Sequence, residues 1–533
     1  MSTYTAYHLL GCILVLATVQ FVVKKTNGRK SKLPLPHGPK GLPLIGNLHQ
    51  MPSGFAWRQY REWSKEFDSD ILYIDVAGTN IVVLNSTEAA NDLLEVRSSL
   101  YSGRPRFPMV NELMGWEFNW GFMDYGNFWR KHRKLMHHSF HPTAAKQFRP
   151  YITKATRRVL KRFLDNPHPH QIMLHLRYMA GETIMSLSYG IDIQPKDDPY
   201  IQTSTEGVHP LMAAGVPGAF LVDTLPVLKY VPSWFPGASF KTKARHWKVL
   251  ARTMIEMPFA ASKEFMEGGK ESVSFVVENL RKIEAGLEND PEHEVITKNV
   301  AGTLYTAGSD TTVSAITSCI LGFLENPDIL KKAQADLDRV VKPGQLPEFD
   351  DESSLPYITA IVKETLRWRE VAPIAVPHFL KTEDEYRGYR LPANTVVVGN
   401  SYAMLHDENV YTDPFKFKPD RFIDPETGEL DFTRARDPDH ACWGFGRRIC
   451  PGRHMAFSAV WLAVASLVYC FDFKKSKVRV KDDDGKEEER DVELSHEYTP
   501  ALVQMPKPFE CVIKPRSKEK EDLIRYVSQN EDS

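Results

Sequence analysis

Trp443-Gly444-Phe445-Gly446-Arg447-Arg448-Ile449-Cys450-Pro451-Gly452 is the stretch that decides how the rest of the chain is read. Three glycines surround one cysteine. Without a Cβ they let the backbone turn tightly, so its N–H groups can face the sulfur. Such hydrogen bonds stabilise a thiolate and tune any metal it holds. A helix-like run begins at Arg453, which would place a positive helix end near the same sulfur. Arg448 suits an anionic partner such as a carboxylate. Taken alone, a cysteine in a glycine-rich loop is usually structural, so its company in the chain has to decide.

The other five cysteines, Cys12, Cys319, Cys442, Cys470 and Cys511, are scattered and form no C-x-x-C pair. That argues against a disulfide scaffold and against a zinc ribbon. They read as small buried residues in a reducing compartment. Of 533 residues, 42% are hydrophobic and 25% charged, which suits a globular protein with a large core. The formal net charge of −1 gives no field that would attract nucleic acid.

Two further elements precede the cysteine loop. Ala307-Gly308-Ser309-Asp310-Thr311-Thr312 lies inside a long helical stretch. A mid-helix glycine costs about 1 kcal/mol relative to alanine, and is tolerable where something must approach the backbone closely. An acid followed by hydroxyl residues can bend a helix and hold a water where protons must be delivered. The bland reading is a kink whose hydroxyls bond to backbone carbonyls. Glu364-Thr365-Leu366-Arg367 places acid and base on one helical face. Such pairs are usually exposed and worth little.

Helical spacing dominates Pro150 to Arg369, including Ile296–Leu324 and Pro356–Arg369. Strand-like patches are short: Ile71–Val76, Ile81–Leu84, Thr395–Val398 and Cys511–Ile513. Ser476–Val492 is highly charged and reads as a solvated hairpin or loop. No internal repeat and no nucleotide-binding glycine fingerprint occurs. The expected fold is mainly α with a small β component. Four segments are expected: an anchor (1–24), a basic, proline-rich hinge (25–47), a catalytic body (48–515) and a polar, disordered tail (516–533).

The anchor rests on Thr5–Val23, an uncharged and mostly apolar run of the length that spans a bilayer. Lys24, Lys25, Arg29, Lys30 and Lys32 follow, which predicts a cytosolic body. A cleaved signal peptide would want positive charge before the run and small residues at its end, and neither is present. Pro34, Pro36, Pro39 and Pro43 then forbid a helix.

The order Asp310, Glu364, Cys450 resembles the cytochrome P-450 family, over nearly the whole chain. Pro419-Asp420-Arg421-Phe422 and the pair Trp129 and Arg133 extend the resemblance. It implies a triangular-prism fold with haem b between the long helix and the cysteine helix. Carried over residue by residue, Cys450 is the axial thiolate and metal ligand. Asp310 and Thr311 are the oxygen-activation pair. Glu364, Arg367 and Arg421 are the structural triad, and Trp129, Arg133, His378 and Arg448 are the contacts to the haem propionates. Two positions depart from the family: Trp443 stands where Phe is usual, and Asp420 where Glu is usual.

The resemblance also implies an NADPH-cytochrome P-450 reductase as partner, because no flavin or nicotinamide motif is present. Arg130, Lys131, Arg133, Lys134, Arg447 and Arg453 could form a basic face for it. Leu225-Pro226, Trp234-Phe235-Pro236-Gly237-Ala238 and Trp116-Glu117-Phe118 resemble a fungal secondary-metabolite branch. The expectation is a haem-thiolate monooxygenase of the endoplasmic reticulum membrane, single-pass and facing the cytosol. It would use O2 on a hydrophobic small molecule, a terpenoid first and an aromatic or indole second. Trp116, Phe118, Trp120, Phe122, Tyr305, Ile374, Val376, Leu502 and Val503 are candidate pocket residues. A non-catalytic haem sensor is the alternative class, and it would not need Asp310-Thr311. An isomerase or peroxygenase would tend to lose that pair.

Overall fold

Helix-forming periodicity carries through into the architecture. In a computed structural model that describes residues 33–268, 274–481 and 487–531, long helices are accompanied by a small amount of sheet. The expected anchor, Thr5–Val23, and the basic residues Lys24–Lys32 lie outside the described residues.

The elements that position the site are, in chain order, β1 (Ile71–Val76), β2 (Thr79–Leu84), α1 (Asn127–Phe140), α2 (Arg149–Asp165), α3 (Ile172–Tyr189), α4 (Pro199–Ala214), α5 (Ser239–Glu267), α6 (His293–Glu325), α7 (Pro356–Trp368), β3 (His378–Leu380), β4 (Thr395–Gly399), α8 (Arg453–Cys470), β5 (Phe471–Lys475), β6 (Lys477–Lys481), β7 (Glu487–Asp491), β8 (Cys511–Pro515) and α9 (Lys518–Glu531). Local signals set several boundaries. Asp198 caps α4 by accepting from the N–H groups of Tyr200 and Ile201, with Pro199 at the first helical position. Gly190 ends α3 in the left-handed conformation, φ +71°.

α6 is the central helix and packs against α1, α3, α4, α5, α7 and α8. It is apolar on all sides, as a fully surrounded helix must be. From Asn299 to Leu324 every residue is buried except Ala307, Gly308 and Thr311. α8 is long and apolar enough to cross a membrane, yet 67% of it is buried inside the protein, which makes it a core helix.

The sheet order is β1-β2-β4-β3. β2 and β4 are parallel, with Val82 opposite Val397, and β3 runs antiparallel to β4, with His378 opposite Val397. β8 pairs with β5. Within the charged stretch 476–492, expected as a hairpin or loop, β6 pairs antiparallel with β7, and Arg479 faces Glu489.

One expectation changes. The stretch read as a disordered tail forms α9, which packs on α2. Leu523, Ile524 and Ser528 are buried, and Arg516 bonds to Asp338 at 2.6 and 2.9 Å. A narrow apolar stripe in a charged background is enough when a preformed surface receives it. The described part of the hinge is free of helix, but it lies against the sheet. The Tyr73 N–H donates to the His37 carbonyl at 2.8 Å, and Gly46 bridges to Val76.

Candidate functional site

The cysteine loop closes on itself. The Cys450 N–H donates to the Trp443 carbonyl at 2.8 Å, and the N–H groups of Arg448 and Ile449 return to Phe445 and Gly446. Gly446 takes φ +56°, and a Cβ there would stand 1.9 Å from the Leu94 carbonyl oxygen, so only glycine fits. Gly444, at φ +77°, supplies the other turn. α8 begins at Arg453, just past the cysteine. Burial pushes the Cys450 thiol up, and the N–H groups of Gly452 and Arg453 and the cations Arg133 and Arg453 oppose it. Those opposing groups are the ones that would stabilise a thiolate once a metal ion displaced its proton.

Elsewhere in the core, Glu364, Arg367 and Arg421 meet. Arg367 bonds bidentately to Glu364 at 2.8 and 3.0 Å, and Arg421 Nε reaches the same carboxylate at 3.1 Å. The Glu364 and Arg367 side chains are wholly buried, so this is no surface pair. Their remaining valences go to backbone: Arg367 to Leu405, Arg421 to Thr412, and the Lys418 N–H to Glu364. Removing one member would leave a buried charge unpaired, which costs about 3–5 kcal/mol.

Beside the loop, cationic side chains converge. Arg448 lies over the Trp129 ring at 4.3 Å and donates to the carbonyls of Ser102 and Met123. Its third nitrogen, Nη1, is buried without a protein partner, and so is the Trp129 indole N–H. Arg104 is buried, donates to Gly121, Val376 and Pro377, and repels both Arg448 and His378. His378 on β3 is fixed by the Tyr101 carbonyl at 2.8 Å, and burial holds it neutral. Burial brings Arg448 down to about 10, which leaves it protonated at neutral pH. Arg133 on α1 instead clasps the loop itself, donating to the Ile449 carbonyl at 2.8 Å.

On α6 the acid and the alcohol of the expected pair part company. Thr311 is accessible, and its hydroxyl donates to the Ala307 carbonyl at 2.8 Å. Asp310 is buried against α3, where Arg177 Nε bonds to it at 3.0 Å. Gly308 faces α3 as well: a Cβ there would meet Ile184 at 2.7 Å. The glycine therefore admits a neighbouring helix, and Ala307 and Thr311 are among the few residues of this stretch that stay accessible.

Of the candidate pocket residues, Trp116, Phe118, Trp120, Phe122, Ile374, Leu502 and Val503 are buried. Tyr305 joins α6 to α4, its hydroxyl donating to the Tyr200 carbonyl, so it belongs to helix packing. The expected basic face is smaller than six residues. Lys131 pairs with Asp290 and Glu292, and Arg133 and Arg453 reach loop carbonyls. Arg130, Lys134 and Arg447 are exposed.

The cytochrome P450 family profile matches residues 36–498. The chain belongs to the cytochrome P450 family. Among its relatives are cytochrome P450 monooxygenase 98 of Postia placenta, 43% identical over 97% of both chains, and the tryptamine 4-monooxygenase of Psilocybe cyanescens, 39% identical over 97% of this chain and 98% of the other. Cytochrome P450 monooxygenase ple1 of Rhodocybe pseudopiperita is 40% identical over 93% of this chain and 92% of its own. A cytochrome P450 uses haem b with an axial cysteine thiolate. The residues here fit that group. Two buried donors without protein partners, Trp129 Nε1 and Arg448 Nη1, sit among cations, as carboxylates of a cofactor require.

Sequence reading missed Arg104, Arg177 and Lys363. Arg104 stands in Gly103-Arg104-Pro105, where no local period marks it. Arg177 and Lys363 lie on helices, and only the fold shows which carboxylates they meet.

Proposed function

We propose that this cytochrome P450 monooxygenase inserts one atom of O2 into a hydrophobic secondary metabolite, a terpenoid skeleton first, with electrons from an NADPH-dependent flavin reductase. Cys450 is the axial ligand in this reading. Trp129, Arg448, Arg104 and His378 receive the propionates, and Arg133 holds the loop. Haem supplies the oxygen chemistry, and the protein supplies position, protons and a dry pocket.

The chain's own residues divide that work. The Glu364–Arg367–Arg421 cluster fixes the backbone at Leu405, Thr412 and Lys418, which precedes the cysteine loop, and in this reading it braces that loop from there. Thr311 presents an accessible hydroxyl on α6, which in this reading stands where a proton is needed. Asp310 is the neighbouring proton carrier, with its carboxylate held on Arg177. The apolar segment around Trp116 and Phe118 excludes water. A non-catalytic sensor has no use for an acid and an alcohol at this place.

The observation that carries the reading is the pair of orphaned donors, Trp129 Nε1 and Arg448 Nη1, beside the cysteine loop. The test is Cys450→Ala. The variant should lose the strongly red-shifted Soret band of the ferrous–CO complex. A folded variant that keeps the band would move the ligand to another cysteine, Cys442 first.

A second substrate class, indoles, is favoured by the relative that is a tryptamine 4-monooxygenase. A binding screen of terpenes and indoles separates the two, read as the spectral shift that follows loss of water from the iron. A response to charged, water-soluble compounds alone would defeat both.

The same reading places the protein in the endoplasmic reticulum membrane by one N-terminal helix, with a cytosolic body. Exposed Leu221, Val227, Tyr230 and Trp234 support contact of the 221–234 region with the bilayer.

A further inference from the structure

Lys363 immediately precedes Glu364 on α7, yet it takes no part in the triad. Its side chain is only 9% exposed. The ammonium bonds to both carboxylate oxygens of Asp437, at 2.8 and 3.0 Å, and to Asp439 Oδ1 at 2.8 Å. The rings of Phe432 and Phe457 flank it, at 5.7 and 5.4 Å. A buried lysine so enclosed is a fixed point, because its charge would be costly without the two carboxylates.

Asp439 Oδ1 has a second donor. The Trp443 indole N–H reaches it at 2.9 Å, and the Cys442 thiol lies 3.9 Å from the same oxygen. Asp439 itself is held by its own N–H, which donates to Asp437 at 3.0 Å. Trp443 is also the residue whose carbonyl receives the Cys450 N–H. A continuous run of hydrogen bonds thus leads from α7, through Asp439 and the indole, to the backbone of the cysteine. Trp443 stands where the family usually carries Phe, and a Phe ring has no donor for Asp439.

We propose that Lys363, Asp439 and Trp443 form a positioning chain that sets the cysteine loop from α7, and so governs how firmly haem is held and how its sulfur ligand is tuned. None of the three is a catalytic residue. Their effect passes through the Trp443 peptide, which is followed by Gly444 at φ +77° and is therefore free to rotate once the side chain lets go. A loop held at one more point loses less order when the ligand binds, which favours retention. The inference rests on Cys450 as the ligand, and the two ideas fail separately.

Trp443→Phe in the holoenzyme keeps the ring and removes the donor. Transfer of haem to an excess of apomyoglobin should be roughly 10-fold faster than in the unaltered protein, the range expected for groups behind a metal ligand. The haem midpoint potential should shift, and part of the red-shifted ferrous–CO band should be lost. Lys363→Met should do the same, and the double variant should be no worse than Trp443→Phe alone, since both cut one path. Unchanged haem transfer, potential and ferrous–CO band in Trp443→Phe would overturn the proposal, and so would strictly additive effects in the double variant. Should Lys363→Met not fold, Trp443→Phe alone decides. A red-shifted band retained in Cys450→Ala would instead remove the ligand assignment beneath it.

Discussion

Arg177 on α3 donates its Nε–H to Asp310 on α6 at 3.0 Å, joining the helix packed beside α6 to the acid at the centre of the oxygen-side motif. Asp310 is therefore not a freely swinging carboxylate, and its partner should decide both stability and proton delivery. Asp310→Asn should lower turnover by roughly 100-fold, within the range of general acid–base effects. Arg177→Met should destabilise the fold by about 1–3 kcal/mol, because a buried carboxylate loses its donor. Combining the two should restore the melting temperature but not turnover, since an amide needs no counter-charge. A double variant as unstable as Arg177→Met would contradict this.

Thr311 is the accessible hydroxyl of the same motif. Thr311→Ala should bind haem and substrate as before, yet divert reducing equivalents to peroxide. Product formed per NADPH should fall by roughly 10-fold or more. Coupling equal to that of the unaltered enzyme would remove Thr311 from the proton path.

Glu370 supplies a pH dependence remote from the haem. It is buried beyond the end of α7, where Gln504 Nε2 donates to its carbonyl and to Oε1, and Oε2 has no hydrogen-bond partner, only His406 Nδ1 at 3.9 Å. Burial pushes its carboxyl from 4.5 up to about 8, and nearby Arg369, Arg367 and Arg58 only partly oppose this. The folded chain then keeps a proton that the unfolded chain releases. Native stability contributed here is complete below about pH 4.5 and is lost as the pH rises toward 8. Neighbouring His406 is held neutral by burial and acts at the acid end instead. Glu370→Gln keeps the acceptor for Gln504 and should remove the alkaline loss. Its advantage in unfolding free energy over the unaltered protein should grow as the pH rises from about 4.5 to about 8, toward roughly 1–3 kcal/mol. A constant difference across that range would show that Glu370 does not titrate there.

Membrane attachment should have two parts. Deleting Met1–Lys25 should release much of the protein from membranes while the haem site survives. Residual binding should fall further with Trp234→Ser, because Trp234 is 80% exposed beside Tyr230 and Val227. A glycosylated C-terminal tag would signal a lumenal body and contradict the orientation inferred from the basic residues that follow Val23.

Much of the architecture was legible in the sequence. β1, α7 and β4 fall within a residue or two of the runs that announced them, because apolar spacing and prolines mark them locally. α9 was not legible. Its charged composition suits an unfolded tail, and only the surface offered by α2 makes its buried Leu523 and Ile524 worth ordering. Likewise Glu364 and Arg367 look like an exposed helical pair until the fold buries them to 0% exposure against Arg421.

What the sequence by itself determined was the chemistry available: one cysteine in a glycine-bounded loop, an acid–alcohol step inside a long apolar helix, and an acid–base pair between them in chain order. These depend on residue type and short spacing, which the chain carries wherever it goes. What only the tertiary structure decided was partnership. Arg177 finds Asp310 across 133 positions, Arg133 finds the Ile449 carbonyl across 316, and Arg448 finds that of Ser102 across 346. Packing brings such groups within about 3 Å, where hydrogen bonds and low-dielectric charge interactions act, and neither has any signature at the level of composition or period.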